Sequence, residues 1–477
     1  MIQTASAATR RRWTLLLTSV SSFMVALDAL VVVTALPSMQ RDLHAGVATL
    51  EWTVNAYTLA FAAGIVTAAA LGDRYGRRRV FTAGLVLFTL ASAACALAPT
   101  SSLLIGARGM QGLGAAVVTP LALTILATAF PPERRGTVVG IFGGITGLAV
   151  AAGPLIGGAV TQGLDWHWIF WVNVPIGVVT AVLACARLGE SHGPATRLDP
   201  LGALLVTAGS VALAWGLVRA NDAGWHSAET LATLCAGALL LAGFVAWERR
   251  AAAPMLPLRL FRSRAFAAAN ATGFLMFGAI FSAAFLMSQY VQFALGYSPL
   301  ATGLRFLPWT ATPIIVAPLA GAVSDRIGRR PLMVAGLLLQ AVGLLWIASQ
   351  ASTTTGYGSL VLPLVLAGIG ISMAIPTTPT AVLAAVSPAD VGRASGVQNT
   401  LSRFGSVFAV ALASAVFAGN GHLGTPASFT AGFRPALAVV ALLSAAGGLV
   451  ALAVASAAPH PAALPEVERE VLTVPAA

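Results

Sequence analysis

The 477-residue chain contains no lysine; all 27 of its basic residues are arginine. Charge of either sign is scarce, at 9% against 57% hydrophobic residues, and the mean hydropathy is +0.85. A soluble domain of this length could not be solvated with so few charges, so that class is excluded. Cysteine is rare as well. Cys95, Cys185 and Cys235 fall in separate apolar runs and form no CxxC pair, which argues against a disulfide framework or a thiolate metal site. No HExxH, Walker sequence, GxSxG with a matching triad or ATP-binding domain is present, so the chain is expected to be neither an enzyme nor a holder of a metal or cofactor. Its energy source must then be an ion gradient. The net charge of +11 could suggest nucleic acid, but the arginines sit in short clusters between apolar runs, as charges that orient membrane spans do. No nucleic-acid partner is expected.

What the sequence does contain is apolar runs. Fourteen read as spans: 13–36, 52–71, 80–98, 102–129, 137–163, 168–187, 200–218, 230–247, 266–290, 300–323, 332–349, 359–382, 395–418 and 431–455. Such lengths suit helices crossing about 30 Å of hydrocarbon. The first run follows Arg10, Arg11 and Arg12. It is too long for a signal-peptide core and lacks a small-residue cleavage site, so it is kept as a span. Connections after even-numbered spans carry the arginines: 74–79, 134–135, 187–197, 249–264, 326–330 and 393. The opposite connections hold Arg41, Arg219 and Arg434. This alternation places both termini in the cytoplasm. Abundant alanine and glycine, with arginine in place of lysine, point to a GC-rich bacterial genome and hence to the bacterial cytoplasmic membrane.

Asp28 is the one acid placed well inside a span by these boundaries. A carboxylate there costs about 2.5–3.5 kcal/mol on insertion scales, so it is expected to face a polar cavity and to have a function. Loss of hydration and a nearby cation pull a carboxyl's proton affinity in opposite directions. A transporter can alternate the two environments. Arg108 is the natural partner: Asp28 lies nine residues before Pro37, and Arg108 nine past Pro99 on a helix running the other way. Both then sit very roughly 12 Å below the outer surface. The bland alternatives are a permanent ion pair and an Arg108 that snorkels outward.

The chain repeats itself. LGDRYGRRRVFTAGLVL (71–87) matches VSDRIGRRPLMVAGLLL (323–339) at an offset of 252, aligning Asp73 with Asp325, Arg74 with Arg326, Gly76 with Gly328 and Arg77 with Arg329. The copies follow spans 2 and 10, eight apart, so two extra helices separate two six-helix halves. The expected organisation is a cytoplasmic N-terminus over 1–12, an N-terminal bundle over 13–187, and a linker with two added helices over 188–265. A C-terminal bundle over 266–455 and a disordered cytoplasmic tail over 456–477 follow. Parallel repeats of this kind bind substrate between the halves near the midplane.

At these residues the chain resembles the major facilitator superfamily, in particular its fourteen-span drug:proton antiporter branch. LGDRYGRRR is similar to the loop 2–3 signature, with Ala69 where a Gly is usual. LDALVVVTALP (27–37) resembles the span 1 motif, and LIGARGMQGLGAA (104–116) the span 4 motif with its buried Arg. GITGLAVAAGPLIGG (144–158) resembles the span 5 antiporter motif, with Ala149 in place of a usual Gly. WHWIFWVNVPIG (166–177) resembles the opening of span 6, and YVQFALGYSP (290–299) lies near span 9. The resemblance implies an all-α polytopic major facilitator fold with 14 transmembrane helices. It also implies a conformational latch at Gly72, Asp73, Arg74, Gly76, Arg77 and Arg78, repeated at Asp325, Arg326, Gly328 and Arg329. Gly153, Pro154, Gly157 and Gly158 would form a kinked seal favouring exchange over leak; ordinary small-residue packing is the other reading.

Polar residues that could line a path are Asn55, Tyr57 and Asn173 in the first half. In the second they are Gln289, Gln292, Gln398 and Asn399, with Arg403, whose role stays open between substrate contact, cavity water and helix capping. Each could equally satisfy backbone groups at helix breaks. The expected function is proton-coupled efflux of a hydrophobic small molecule, such as a drug, dye or antibiotic, by a monomer in the lipid bilayer. A dedicated metabolite exporter, an uptake symporter and a non-transporting sensor or scaffold are the alternatives.

Overall fold

Residues Ala7–Leu43 run as one 37-residue helix, α1, long enough at 1.5 Å per residue to outreach a bilayer core. The computed structural model describes residues 7–130, 132–192, 199–251, 254, 258–387 and 390–455. The tail expected over 456–477 lies outside the described residues, as do the side chains of Asp325, Arg134, Arg135 and Arg393. Every regular element among the described residues is helical. The first group is α1, α2 (Val47–Tyr75), α3 (Arg77–Ala96), α4 (Ser101–Ala129), α5 (Pro132–Gly163), α6 (Trp168–Trp171) and α7 (Asn173–Arg187). A pair follows, α8 (Pro200–Ala223) and α9 (Ala228–Glu248). The last group is α10 (Arg264–Gln289), α11 (Pro299–Thr310), α12 (Thr312–Ile327), α13 (Arg329–Gln350), α14 (Tyr357–Ala384), α15 (Val391–Asn420) and α16 (Pro426–Ala451).

Eleven helical stretches among the described residues are long and apolar enough to cross a membrane. α2, α5 and α8, of 29, 32 and 24 residues, are not in that count, and each contains side chains outside the described set. The chain is thus a multi-pass membrane protein. Polar side chains start several of these helices. Thr100, Asp199, Ser227, Ser263, Ser298 and Thr425 each accept a bond from a backbone N–H in the first turn, satisfying donors a helix end leaves free.

Two of the runs read as single spans are broken. Run 168–187 divides at Val172 into α6 and α7. Run 300–323 divides at Ala311 into α11 and α12, because Pro313 has no N–H to offer the Trp309 carbonyl. The Thr312 hydroxyl donates to that carbonyl instead, at 2.7 Å.

The two groups meet along three lines: α5 against α11, α1 against α10, and α2 against α15. The pair α8–α9 leans on the third line. Val206 and Phe244 share an apolar cluster with Leu59 and Ala62 of α2 and with Phe404 and Val407 of α15. Trp215 of α8 packs on Trp52 of α2 with ring centroids 5.7 Å apart. The added pair therefore straddles the boundary between the groups.

Candidate functional site

Asp28 lies mid-way along α1 and is 2% exposed. α4 brings Arg108, itself 1% exposed, alongside. The Arg108 Nη1 donates to Asp28 Oδ2 at 2.6 Å. The other carboxylate oxygen accepts from two amides, Gln111 Nε2 and Asn173 Nδ2, each at 2.9 Å. Gln111 also donates to the Ser92 hydroxyl at 2.7 Å and accepts from Arg108 at 2.5 Å. Arg108 Nε donates to the Thr53 carbonyl at 3.2 Å, and its guanidinium carbon stands 4.2 Å from the Tyr57 ring centroid. Both carboxylate oxygens thus face donors, so this arrangement fits the ionised acid.

Local structure explains the clamp. Asn173 opens α7, and its side chain reaches Asp28 of α1. Arg108 and Gln111 are three residues apart and share one helix face. Gly112 lets α4 approach α2 closely; a Cβ there would lie 2.2 Å from the Tyr57 carbonyl oxygen. Asn173, one of the polar residues expected along the path, binds the carboxylate. Arg108 does not snorkel.

The end of the bundle reached by the C-terminal part of α1, here the far side, is closely packed. Cβ atoms on Gly153 and Gly157 would meet Leu30 and Thr34 of α1 at 2.8 and 2.2 Å. One on Gly158 would meet the Pro299 carbonyl at 2.3 Å, and one on Gly303 of α11 the Pro154 carbonyl at 2.4 Å. α5 is thus wedged between α1 and the other group. Pro37 leaves the Val33 carbonyl without its helical donor. Ser288 of α10 supplies one at 2.9 Å, and Gln292 donates to the next carbonyl, Thr34, at 2.8 Å. Gln162 accepts from Leu300 N at 3.2 Å. These three are the hydrogen bonds between the groups among the described residues, and all lie on the far side.

On the opposite, arginine-rich side, α2 turns into α3 at Gly76, φ 103°, and α12 into α13 at Gly328, φ 86°. Only glycine adopts this left-handed region cheaply, so both copies of the repeat need it. Arg77 pairs with Asp73 at 2.9 Å within its own loop. Glu190 caps the start of α3, accepting from the Arg78 N–H at 2.9 Å and lying 3.6 Å from its guanidinium. Gly72 packs against Leu121. Arg74 and Arg326 are exposed, Arg329 is half-buried, and the Asp325 side chain lies outside the described residues.

The remaining polar residues are scattered. Asn55 is buried; Gln289 bonds back to Phe285 O at 3.4 Å, and Asn399, exposed, to Ser395 O at 2.9 Å. Gln398 is buried on α15. Arg403, half-buried, stands over the Phe61 ring at 4.3 Å.

The family model described as Major Facilitator Superfamily matches residues 18–248 and 269–476. The chain belongs to the major facilitator superfamily. Among curated members it is 36% identical over 418 residues to the "Tetracenomycin C resistance and export protein" of Streptomyces glaucescens, covering 87% of this chain and 77% of that one. It is also 36% identical over 434 residues to the "Cephamycin export protein CmcT" of Amycolatopsis lactamdurans, covering 90% and 89%. A crystal structure of the peptide transporter POT in complex with sulfate is similar in fold, with TM-score 0.67, 17% identity, and 92% and 94% of the two chains covered. The chain is thus a transporter-family member rather than an enzyme.

Motif reasoning singles out none of four further buried or capping residues. Gln111, although it lies within the quoted span 4 motif, and Ser92 are an amide and a hydroxyl in apolar runs, a weak signal. Glu190 sits in a loop 112 residues from the helix start it caps. Glu51 lies inside α2 and is 1% exposed, but the apolar run was drawn from 52, which leaves it out. Gln111→Leu tests the clamp. It removes the bond donated to Asp28 and the bond accepted from Arg108, each worth about 1.5–3 kcal/mol, along with weaker bonds to the Ser92 hydroxyl and from the Cys95 thiol. The thermal midpoint of the purified variant should fall clearly below the parent's. An unchanged midpoint would mean that Gln111 does not hold the ion pair.

Proposed function

We propose that this chain exports hydrophobic small molecules across the bacterial cytoplasmic membrane in exchange for protons. One observation carries the proposal: a carboxylate, Asp28, buried on a membrane helix and paired there with one cation, Arg108. A group so costly to bury is retained where its charge must change. Relatives named for antibiotic resistance and export agree with the direction of transport. Counting α2, α5 and α8 with the eleven apolar helices gives fourteen spans, two six-helix halves with α8–α9 between them, and both termini in the cytoplasm. The far side is then the outer side. We read the chain as acting as a monomer.

The sealed outer side and the deprotonated clamp belong together: this is the form after a proton has left toward the cytoplasm. Substrate then enters between the halves from inside. Reopening outward requires α5 to part from α11 and the Ser288 and Gln292 bonds to break. Protonation of Asp28 from outside would free Arg108 and favour the return. Asp73, Arg77 and Gly76 hold the loop whose docking on the other half would close the inner side. One proton crossing 100 mV carries about 2.3 kcal/mol, enough for a roughly fiftyfold solute gradient. Everted vesicles from cells expressing the chain should take up a lipophilic dye when energised and release it on adding an uncoupler. Uptake indifferent to the uncoupler would end the proton-coupled reading.

A further inference from the structure

Arg403 is the cation in the bundle that the mechanism above does not use. It projects from α15 into the boundary between the halves. Its guanidinium carbon lies 4.3 Å from the ring centroid of Phe61, on α2 of the first half, and 6.0 Å from that of Phe281, on α10 of its own half. Among the described residues no carboxylate lies within ion-pair distance of it and no oxygen accepts a hydrogen bond from it. Each of the other arginines inside spans has at least one oxygen acceptor, although Nε of Arg305 is buried without one. Arg108 has Asp28, Gln111 and the Thr53 carbonyl. Arg305 bonds the Ala301 carbonyl, and Arg434 the Ala348 carbonyl. Arg403 is also half-buried.

A guanidinium carries five N–H donors in a planar fork that fits two adjacent oxygens. Leaving that fork unbonded inside a protein is costly unless a visiting group takes it. The two phenylalanine rings beside it, 1% and 9% exposed, are flat apolar surfaces that can stack on an aromatic frame once the halves part. An uncompensated positive charge at the same place repels a cation. We infer that Arg403, with Phe61 and Phe281, selects flat aromatic substrates that present paired oxygen acceptors and carry no positive charge: carboxylates, sulfonates, or neighbouring carbonyl and phenol groups. The inference rests on the export reading for its purpose, since it names what that exporter accepts. Phe61 stands one turn beyond Tyr57 on α2, their ring centroids 6.3 Å apart. Tyr57 is the ring on which Arg108 rests, so substrate and proton would be sensed on one helix.

Three fluorescent probes separate the cases. 8-Anilino-1-naphthalenesulfonate carries the oxygen-rich anion, N-phenyl-1-naphthylamine is the same frame without it, and ethidium is a flat cation. Binding to the purified full chain should favour the sulfonate over the neutral frame by about tenfold, the effect of one charge-assisted hydrogen-bonded pair. Ethidium should bind least. Arg403→Gln should erase the preference and admit ethidium, while Arg403→Lys, which keeps the charge and loses the fork, should fall between. Equal affinity of the parent protein for all three probes would overturn the inference, as would an Arg403→Gln protein that keeps the parent's order. Should Arg403→Gln not fold, the order shown by the parent protein decides alone. Uncoupler-sensitive vesicle flux is measured in parallel. Flux without probe preference leaves export standing and removes the Arg403 site; preference without flux does the reverse.

Discussion

Asp28→Asn should abolish uphill export while leaving the chain in the membrane. Asparagine carries no titratable proton, so an imposed pH gradient has nothing to act on at this position. The substitution also turns one accepting oxygen into a donor, which must face either Arg108 or the Gln111 and Asn173 amides. Arg108 is left as a buried cation without its counter-charge, a loss of about 3–5 kcal/mol when one partner of a buried pair is removed. The single variant should therefore be markedly less stable than the parent. The double change Asp28→Asn with Arg108→Gln removes both charges and should recover much of that stability without recovering export. Substrate exchange down its own gradient should persist in the double variant. Dye accumulation in energised everted vesicles, compared with counterflow in unenergised ones, separates the two activities. Full proton-driven accumulation by Asp28→Asn would remove this carboxylate from the coupling.

Gly158→Val should disable the outer seal. Its Cβ would fall 2.3 Å from the Pro299 carbonyl oxygen and 2.9 Å from the Leu300 Cα, backbone atoms that cannot swing aside. α5 and α11 must then separate by about 1 Å to restore ordinary contact distances. Export should drop by about tenfold or more, the consequence of some 1.4 kcal/mol lost from the sealed form. A cysteine reporter from Thr34→Cys, in a chain whose exposed Cys185 and Cys235 are replaced by serine, would read the seal. It should resist a membrane-impermeant maleimide added outside in the otherwise unchanged protein and react in the Gly158→Val background. Protection in both would show that the glycine contact does not close this side.

Much of this was legible in the residues alone, and the parts that were not share a cause. Asp28 announces itself because one charge interrupts a long apolar run. Arg108 could be matched to it by depth alone, nine residues from each proline. Gly76 and Gly328 were legible because the repeat aligns them, and both occupy the left-handed turn that alignment suggests. Gln111, Ser92 and Glu190 were not, since amides, hydroxyls and loop acids acquire meaning only from neighbours distant in sequence. Asn173 stands out in the sequence only by its polarity, and its bond to Asp28 depends on a residue 145 positions away. Glu51 was lost to a boundary drawn one residue late.

The seal between α1 and α10 is written in main-chain atoms. Ser288 and Gln292 bind the carbonyls of Val33 and Thr34, and the first lacks its helical donor because Pro37 follows four residues on. The side chain at position 33 can therefore drift through evolution among residues of similar bulk without altering this lock. Replacing Pro37 by alanine would return a helical N–H to the Val33 carbonyl and set it in competition with Ser288. A selection experiment that enriches for constitutively leaky pumps should accordingly find position 37 before it finds position 33.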